Sequence, residues 1–330
     1  MGHISVRQMV RLGLLFVVMA AVIAACSGRT ENPSSTEGNR AASGDKPGTK
    51  IFKAENGEIE IPANPQRIVA IQFAGDLLAL GVKPVGVGSI VLNNSEQLKD
   101  ELAGVADVGD VSVEKVLELA PDLIVAPSYL PPEVIEKLGK IAPTVTLPWG
   151  GFAGSDPLEE VRTFGRMLGK EKEAEAWIAR YKDKAAQAKQ KLAGVIGPGE
   201  TAASYEIWAK NLWVWDKNQR AGYNLFTTLG LTPPDKVKKD VFEPGKSRDI
   251  SQEVLPEYAA DHMFVTVYQE DGGAERAKEL MDKSIWKNLP AVKNNRVYLL
   301  NLKQFWFSDG LSLEKQLDIL TETILSRSQK

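Results

Sequence analysis

Between Ser204 and Asn224 the chain reads SYEIWAKNLWVWDKNQRAGYN. Three tryptophans (Trp208, Trp213 and Trp215) and two tyrosines (Tyr205 and Tyr223) lie there among three cations, Lys210, Lys217 and Arg220. Such a mixture suits holding a solute: flat rings offer faces for stacking, and a guanidinium stacks on rings while donating a fork of N–H groups to oxygens. Side chains alternate along a strand, so Trp213 and Trp215 share one face, which is either core or a ligand wall.

Reactive chemistry is not written in the same way. The chain carries no Ser–His–Asp set, no phosphate-binding glycine loop and no Cys-x-x-Cys pair. GVGSIV (86–91) lacks the rest of a dinucleotide fingerprint, and the adjacent Glu159 and Glu160 are expected on a solvated helix face. A bare zinc or manganese site needs histidine with carboxylates. Beyond His3 the only histidine is His262, which starts an apolar run and is expected to be packed and hydrogen-bonded. Neither catalysis nor direct metal binding is expected.

The elements that must position these side chains alternate. RIVAIQ (67–72), KPVGVG (83–88), DLIVAP (122–127) and PTVTLP (143–148) read as short buried strands. Between them lie helical runs, among them VEKVLELA, with Ser112 as N-cap and Pro121 as stop. Strands alternating with helices predict a mostly parallel sheet covered on both faces. A helix over 157–169 and a much longer one over 170–193 break the rhythm. The second has Ala174, Trp177, Ile178, Tyr181, Ala185, Ala188 and Leu192 on one apolar face and would be about 36 Å long. The α/β pattern then resumes. TAASYEIW and NLWVWD form a hairpin turning at Lys210–Asn211, YNLFTTLG a helix closed by Gly230, and SLEKQLDILTETIL a final amphipathic helix.

One unit is written twice. SVEKVLELAPDLIV (112–125) and SQEVLPEYAADHMFV (251–265) each place a serine two residues before a glutamate, Glu114 or Glu253. Each then places an aspartate, Asp122 or Asp261, at the head of an apolar run. The expectation is two lobes of similar design, with each serine capping a helix, each glutamate in a first turn and each aspartate opening a core strand.

Composition is that of an ordinary soluble protein: 330 residues, 43% hydrophobic, 25% charged, net charge −3. A nucleic-acid partner is not expected. Arg7 and Arg11 precede an apolar stretch, Leu12 to Ala25, that is short for a membrane span. It ends in IAAC, with Cys26 the single cysteine of the chain. This ending resembles the bacterial lipoprotein signal, which implies lipidation of Cys26 and anchoring at the outer face of the cell membrane. Residues 27–50 hold no large apolar side chain and read as a flexible tether reaching roughly 25–30 Å. The expected plan is signal peptide 1–25, lipidated cysteine and tether 26–50, first lobe 51–168, connecting helix 169–194, and second lobe with the final helix 195–330.

Five motifs in order carry a wider resemblance: LLALGVKPVGVG (77–88), VEKVLELAPDLIV (113–125), FTTLGLTPP (226–234), ISQEVLPEYAADHMFV (250–265) and SIWKNLPAVKNNRVY (284–298). Together they resemble the solute-binding lipoproteins of ABC importers for iron–siderophores and vitamin B12, over about Ile51 to Leu325. The resemblance implies two α/β lobes with mostly parallel sheets, joined by a single long α-helix that permits little hinge closure. It implies a monomer without cofactor, binding a ferric siderophore between the lobes, with the iron held by the siderophore and not by protein side chains. The partners implied are an ABC permease and its ATPase, with Glu114 and Glu253 docking into permease arginines. The plainer role of each glutamate is to complement a helix dipole.

The resemblance also gives Arg220, in the RAG triplet, the place of a basic ligand contact. Further cleft candidates end strands or lie in loops: Trp208, Trp213, Trp215, Lys210 and Lys217, then Gln72, Phe73, Tyr129, Trp149, Phe152, Tyr268, Trp306 and Phe307. Trp286 is expected to be structural. One well-placed arginine among many tryptophans favours a neutral or mildly charged hydroxamate chelate over a catecholate. Citrate-like chelates, haem and cobalamin stay open, as does a different class of role, a surface adhesin or sensor co-receptor.

Overall fold

The computed structural model describes residues 48–148 and 156–328. Cys26, the expected leader and nearly all of the expected tether lie outside them, as do Trp149 and Phe152. Thr49–Ala54 (β1) and Gly57–Pro62 (β2) pair antiparallel, so β1 takes in the last residues assigned to the tether. Side chains alternate between exposed and half-buried along β1, a weak pattern for a hairpin whose partner surface is remote in sequence. Asn56 ties the hairpin to the edge of the first sheet, donating to the Thr144 carbonyl at 2.9 Å and accepting from the Thr146 N–H at 3.0 Å.

The first sheet holds β3 (Ile68–Ala70), β4 (Gly86–Val87), β5 (Ala106–Asp107), β6 (Leu123–Pro127) and β7 (Thr144–Leu147). Its order is β5-β4-β3-β6-β7 and every pairing is parallel. The second holds β8 (Ala202–Ile207), β9 (Leu212–Val214), β10 (Arg248–Asp249), β11 (His262–Val267) and β12 (Val297–Leu299), ordered β10-β9-β8-β11-β12. The two orders follow one pattern. The second sheet is mixed: β8–β11 and β11–β12 are parallel, whereas the hairpin expected at Lys210–Asn211 makes β8–β9 and β9–β10 antiparallel.

The repeated unit performs the same task in both lobes at its aspartate. Asp122 accepts from the backbone N–H groups of Gln66 and Arg67 at 2.6 and 2.8 Å. Asp261 accepts from the backbone N–H and hydroxyl of Thr201, each at 2.8 Å. Each carboxylate thus ties the head of one core strand to its neighbour, β3 or β8. The serines diverge. Ser112 caps the helix Val113–Glu118 by accepting from the Lys115 N–H at 3.3 Å. Ser251 makes no cap bond, and residues Gln252–Tyr258 form a 3₁₀-helix with Pro256 inside it. Proline has no N–H to donate to an α-helical ladder, which accounts for the tighter turn. The run YNLFTTLG likewise winds as a π-helical segment, Tyr223–Thr228.

The connecting helix runs from Glu171 to Leu192, about 33 Å. It buries all seven residues of its expected apolar face. Gly169, with φ 65°, ends the preceding helix Pro157–Leu168 in the left-handed conformation that suits glycine. Tyr181 bonds to Asn224 and Thr228 of the π-helical segment, both at 2.6 Å, and the Trp177 indole donates to Glu314 at 2.8 Å.

Glu314 belongs to the final helix, Gly310–Ser328, which does not stay with the second lobe: it packs on the connecting helix and on the first-lobe helices Ala74–Ala79 and Pro157–Leu168. Two helix starts meet there. The Gly310 N–H donates to Asp76 at 2.9 Å and the Gly75 N–H to Asp309 at 3.0 Å. A Cβ on Gly75 would lie 1.9 Å from the Asp309 carboxylate, so no larger residue fits. The expected solvated face holds for the exposed Glu159, whereas Glu160 is half-buried and within electrostatic reach of this pair. Burial and the nearby Asp309 charge raise its pKa to about 8. One continuous apolar core, including Phe164, Trp177, Phe264, Tyr298 and Leu317, runs through the hairpin, both lobes and the two long helices.

Candidate functional site

Strand register builds the site. Glu206 of β8 lies opposite Trp213 of β9 and opposite Thr266 of β11. Residues opposite one another share a face of the sheet, and that face carries Trp213, Glu206 and Thr266 in one row. Trp215, two residues on, extends it; its ring lies 5.9 Å from that of Trp213 at 25°.

Glu206 is fully buried and is the hub of the row. It accepts from Arg220 Nε at 2.7 Å and Nη2 at 3.2 Å, from the Trp208 indole at 2.6 Å, and from the Thr266 hydroxyl at 2.9 Å. The Arg220 guanidinium lies between two indoles, 4.5 Å from the ring centroid of Trp215 and 4.6 Å from that of Trp306. Its Nη1 also donates to the Trp306 carbonyl at 3.2 Å. Three of its five N–H groups are thereby used, which leaves two of the fork for other acceptors. Arg220 itself has φ 56°. Gly222, two residues on, is packed so closely under the Asp216 carbonyl that a Cβ would come within 2.4 Å. The RAG triplet therefore serves a tight loop that delivers the guanidinium. Tyr268, after β11, continues the ring wall at 4.7 Å from Trp208 and 6.1 Å from Trp306.

The indole N–H groups of Trp213 and Trp215 are buried and have no acceptor among the described residues, and the Gln219 side-chain oxygen is likewise unsatisfied there. Orphaned buried donors are costly, and these two suit acceptor oxygens supplied from outside. A cavity of about 890 Å³ opens beside Tyr268 and Trp306, within the size range of small-molecule sites.

Not every expected residue belongs to this cluster. Lys210, in the hairpin turn, and Lys217 are exposed. From the first lobe, Tyr129 is 58% exposed and its hydroxyl accepts from the buried Gln72 amide. Phe73 is a correction: it is 3% exposed and packs on Phe164 with ring centroids 5.8 Å apart. Its left-handed backbone turn into the first helix points the ring to the core. Phe307 is also core. Tyr205 and Tyr223 are buried structural donors, to the Tyr258 carbonyl at 2.6 Å and to Asp156 at 2.8 Å. Trp286 packs in the second-lobe core, and His262, 1% exposed, contacts Tyr298 and Glu200, each at 3.0 Å. Glu206 was not anticipated. Its signal is a lone acid inside the buried run ASYEI.

Glu114 and Glu253 are both exposed. The crossover segments that carry them begin where strands β5 and β10 end, so each glutamate stands at the carboxyl edge of its own sheet. Both carboxyls are held below the usual range. The cause at Glu114 is first its own backbone N–H and then Ser112; at Glu253 it is first the Gln252 amide. Among the described residues no helix is long and apolar enough to cross a membrane.

Two α/β lobes on a helical spine, with an aromatic site at the strand ends, define a solute-binding protein, and a family comparison agrees. Residues 71–302 match the periplasmic binding protein family, and the chain belongs to it. Among its relatives in Bacillus subtilis (strain 168) is the iron(3+)-hydroxamate-binding protein YxeB, 39% identical over 98% of each chain. The iron(3+)-hydroxamate-binding protein FhuD of the same organism is 35% identical over 95% of this chain and 98% of that one. FhuD2 of Staphylococcus aureus, solved with bound ferrioxamine B, superposes with a TM-score of 0.70 at 26% identity, over 80% of this chain and all of that one.

Proposed function

We propose that this chain captures a ferric hydroxamate siderophore at the Arg220 site, between the lobes, and delivers it to an ABC permease. The observation that carries this reading is the charge state of the site. Arg220 is its buried cation, and Glu206 compensates that cation within the same fork of hydrogen bonds. A site of this balance takes a neutral or weakly charged chelate. A multiply anionic one would have to be desolvated without matching cations. Hydroxamate chelates offer ring-sized apolar surface to Trp208, Trp215, Tyr268 and Trp306, and oxygens to the free Arg220 and indole N–H groups. The iron stays with the chelator, and no protein ligand to it is needed.

Delivery rests on Glu114 and Glu253, one per lobe, presented to permease arginines. Cys26 is the proposed point of lipid attachment, which keeps the protein at the outer face of the membrane with residues 27–48 as its leash. Tryptophan fluorescence tests the ligand class. Ferric hydroxamates should quench saturably, and a ferric catecholate at the same concentration should not; tight catecholate binding with weak hydroxamate binding would reverse the assignment.

A further inference from the structure

The cavity of about 890 Å³ is bordered by Tyr268 and Trp306, and its floor lies on the face of β11 opposite to Thr266. Its floor is apolar: Val265 and Val267 of β11, Leu299 of β12, Leu302, and Ala274 and Met281 of the helix Gly273–Asp282. Leu299 is 56% exposed, unusual for a large apolar side chain in a concave place. β12 is the edge strand of its sheet, so no further strand covers this groove. None of the buried, unpartnered polar atoms belongs to its lining, in contrast to the Arg220 site with its two free indole donors.

The rim is charged, with three carboxylates against two lysines. Lys278 and Lys303 stand among Glu96, Glu270 and Asp282, and Lys303 pairs with Glu270 at 3.7 Å. The first lobe closes one end, where the Asn301 amide donates to Glu96 at 2.6 Å. Tyr268 and Trp306 therefore have two duties. On one side Trp306 lies over Arg220 and Tyr268 packs at a tilt against Trp208; both also line the groove.

We infer that this groove is a second subsite, for an apolar chain carried by the chelate whose iron-bearing part sits at Arg220. Its floor offers contact area without hydrogen-bond partners, so the occupant is alkyl or acyl, and its continuity with the ring wall makes that occupant part of the same ligand. The rim's excess of one carboxylate offers nothing to a separate anion, and Lys303 is already paired with Glu270. The inference rests on the hydroxamate reading above and adds to it a preference for amphiphilic chelates.

The test compares two ferrioxamine B derivatives on the whole protein: the N-acetyl and N-octanoyl amides of its terminal amine. These have the same chelate and the same charge and differ in methylenes alone. Each methylene fully buried is worth about fourfold in affinity. Partial burial of the longer chain should therefore tighten binding by about tenfold or more. Ala274→Trp fills the groove from an exposed helix position, and Leu299→Asp places a charge on its floor. Both should abolish the difference while N-acetyl binding stays within about twofold of wild type. Equal affinities in the wild-type protein, or a preference that survives both substitutions, would overturn the subsite. If neither derivative binds the wild-type protein, the hydroxamate reading itself fails, and the subsite with it.

Discussion

On the proposed reading the Glu206–Arg220 pair sets both the stability and the selectivity of the site, and Glu206→Gln separates the two effects. The side chains are 0% and 6% exposed, with the closest N–O distance 2.7 Å. For charge centres about 4 Å apart at an effective dielectric of 20, the attraction is about 4 kcal/mol. Removing one partner of a buried pair typically costs about 3–5 kcal/mol, because the other charge is left uncompensated. Glu206→Gln and Arg220→Met should each destabilise the ligand-free protein by about 3 kcal/mol. The double variant should be little worse than either single one, a coupling of about 2–3 kcal/mol. Urea unfolding followed by circular dichroism reads these values directly. Selectivity should move as well. With Glu206 neutral the site gains one positive charge, so a ferric chelate bearing negative charge should gain affinity relative to a neutral hydroxamate. Single substitutions costing below about 1 kcal/mol, or additive effects in the double variant, would refute a compensated buried pair. An unchanged ratio of anionic to neutral chelate affinity would refute its role in choosing ligand class.

Further outcomes follow from the same geometry. Trp213→Phe removes a buried N–H that has no acceptor among the described residues. The apo protein should be as stable as wild type or slightly more so, while hydroxamate affinity, by fluorescence titration, falls about five- to tenfold. The double variant Glu114→Ala, Glu253→Ala should abolish iron uptake by whole cells and leave solution binding intact; undiminished uptake would remove the docking assignment. Glu160 keeps its proton in the folded protein up to about pH 8 but releases it when unfolded near the ordinary carboxylate value. Between those limits the folded state binds more protons, so stability falls as pH rises, by up to about 1.4 kcal/mol per pH unit for one group. Asp76 and Asp309, raised mainly by burial, act in the same direction. Glu160→Gln should raise the melting temperature at pH 8 and flatten the dependence, which a thermal melt series checks.

Much of this architecture was legible because local pattern and tertiary structure agree. The apolar stripe from Ala174 to Leu192 is the buried face of the connector, and Asp122 and Asp261 open matching strands. Where the reading failed, remote partners decided. Ser251 looks like Ser112, but Pro256 tightens the turn that follows it. Phe73 ends a strand as a cleft residue would, yet its left-handed backbone and Phe164 draw it inside. Glu160 sits beside the exposed Glu159, and only the return of the final helix brings Asp309 against it. The site was legible as a composition, tryptophans with Arg220. Its hub was not: Glu206 matters because register sets it between Trp213 and Thr266 and a glycine-tightened loop brings Arg220 back to it.

The most direct measurement is a tryptophan-fluorescence titration with ferrioxamine B on wild-type protein and on Arg220→Ala. A compensated guanidinium between Trp215 and Trp306 predicts saturable quenching with submicromolar affinity in the wild type and a loss of about a hundredfold in the variant, of the order expected for a hot-spot arginine. Equal quenching curves for the two proteins would contradict it.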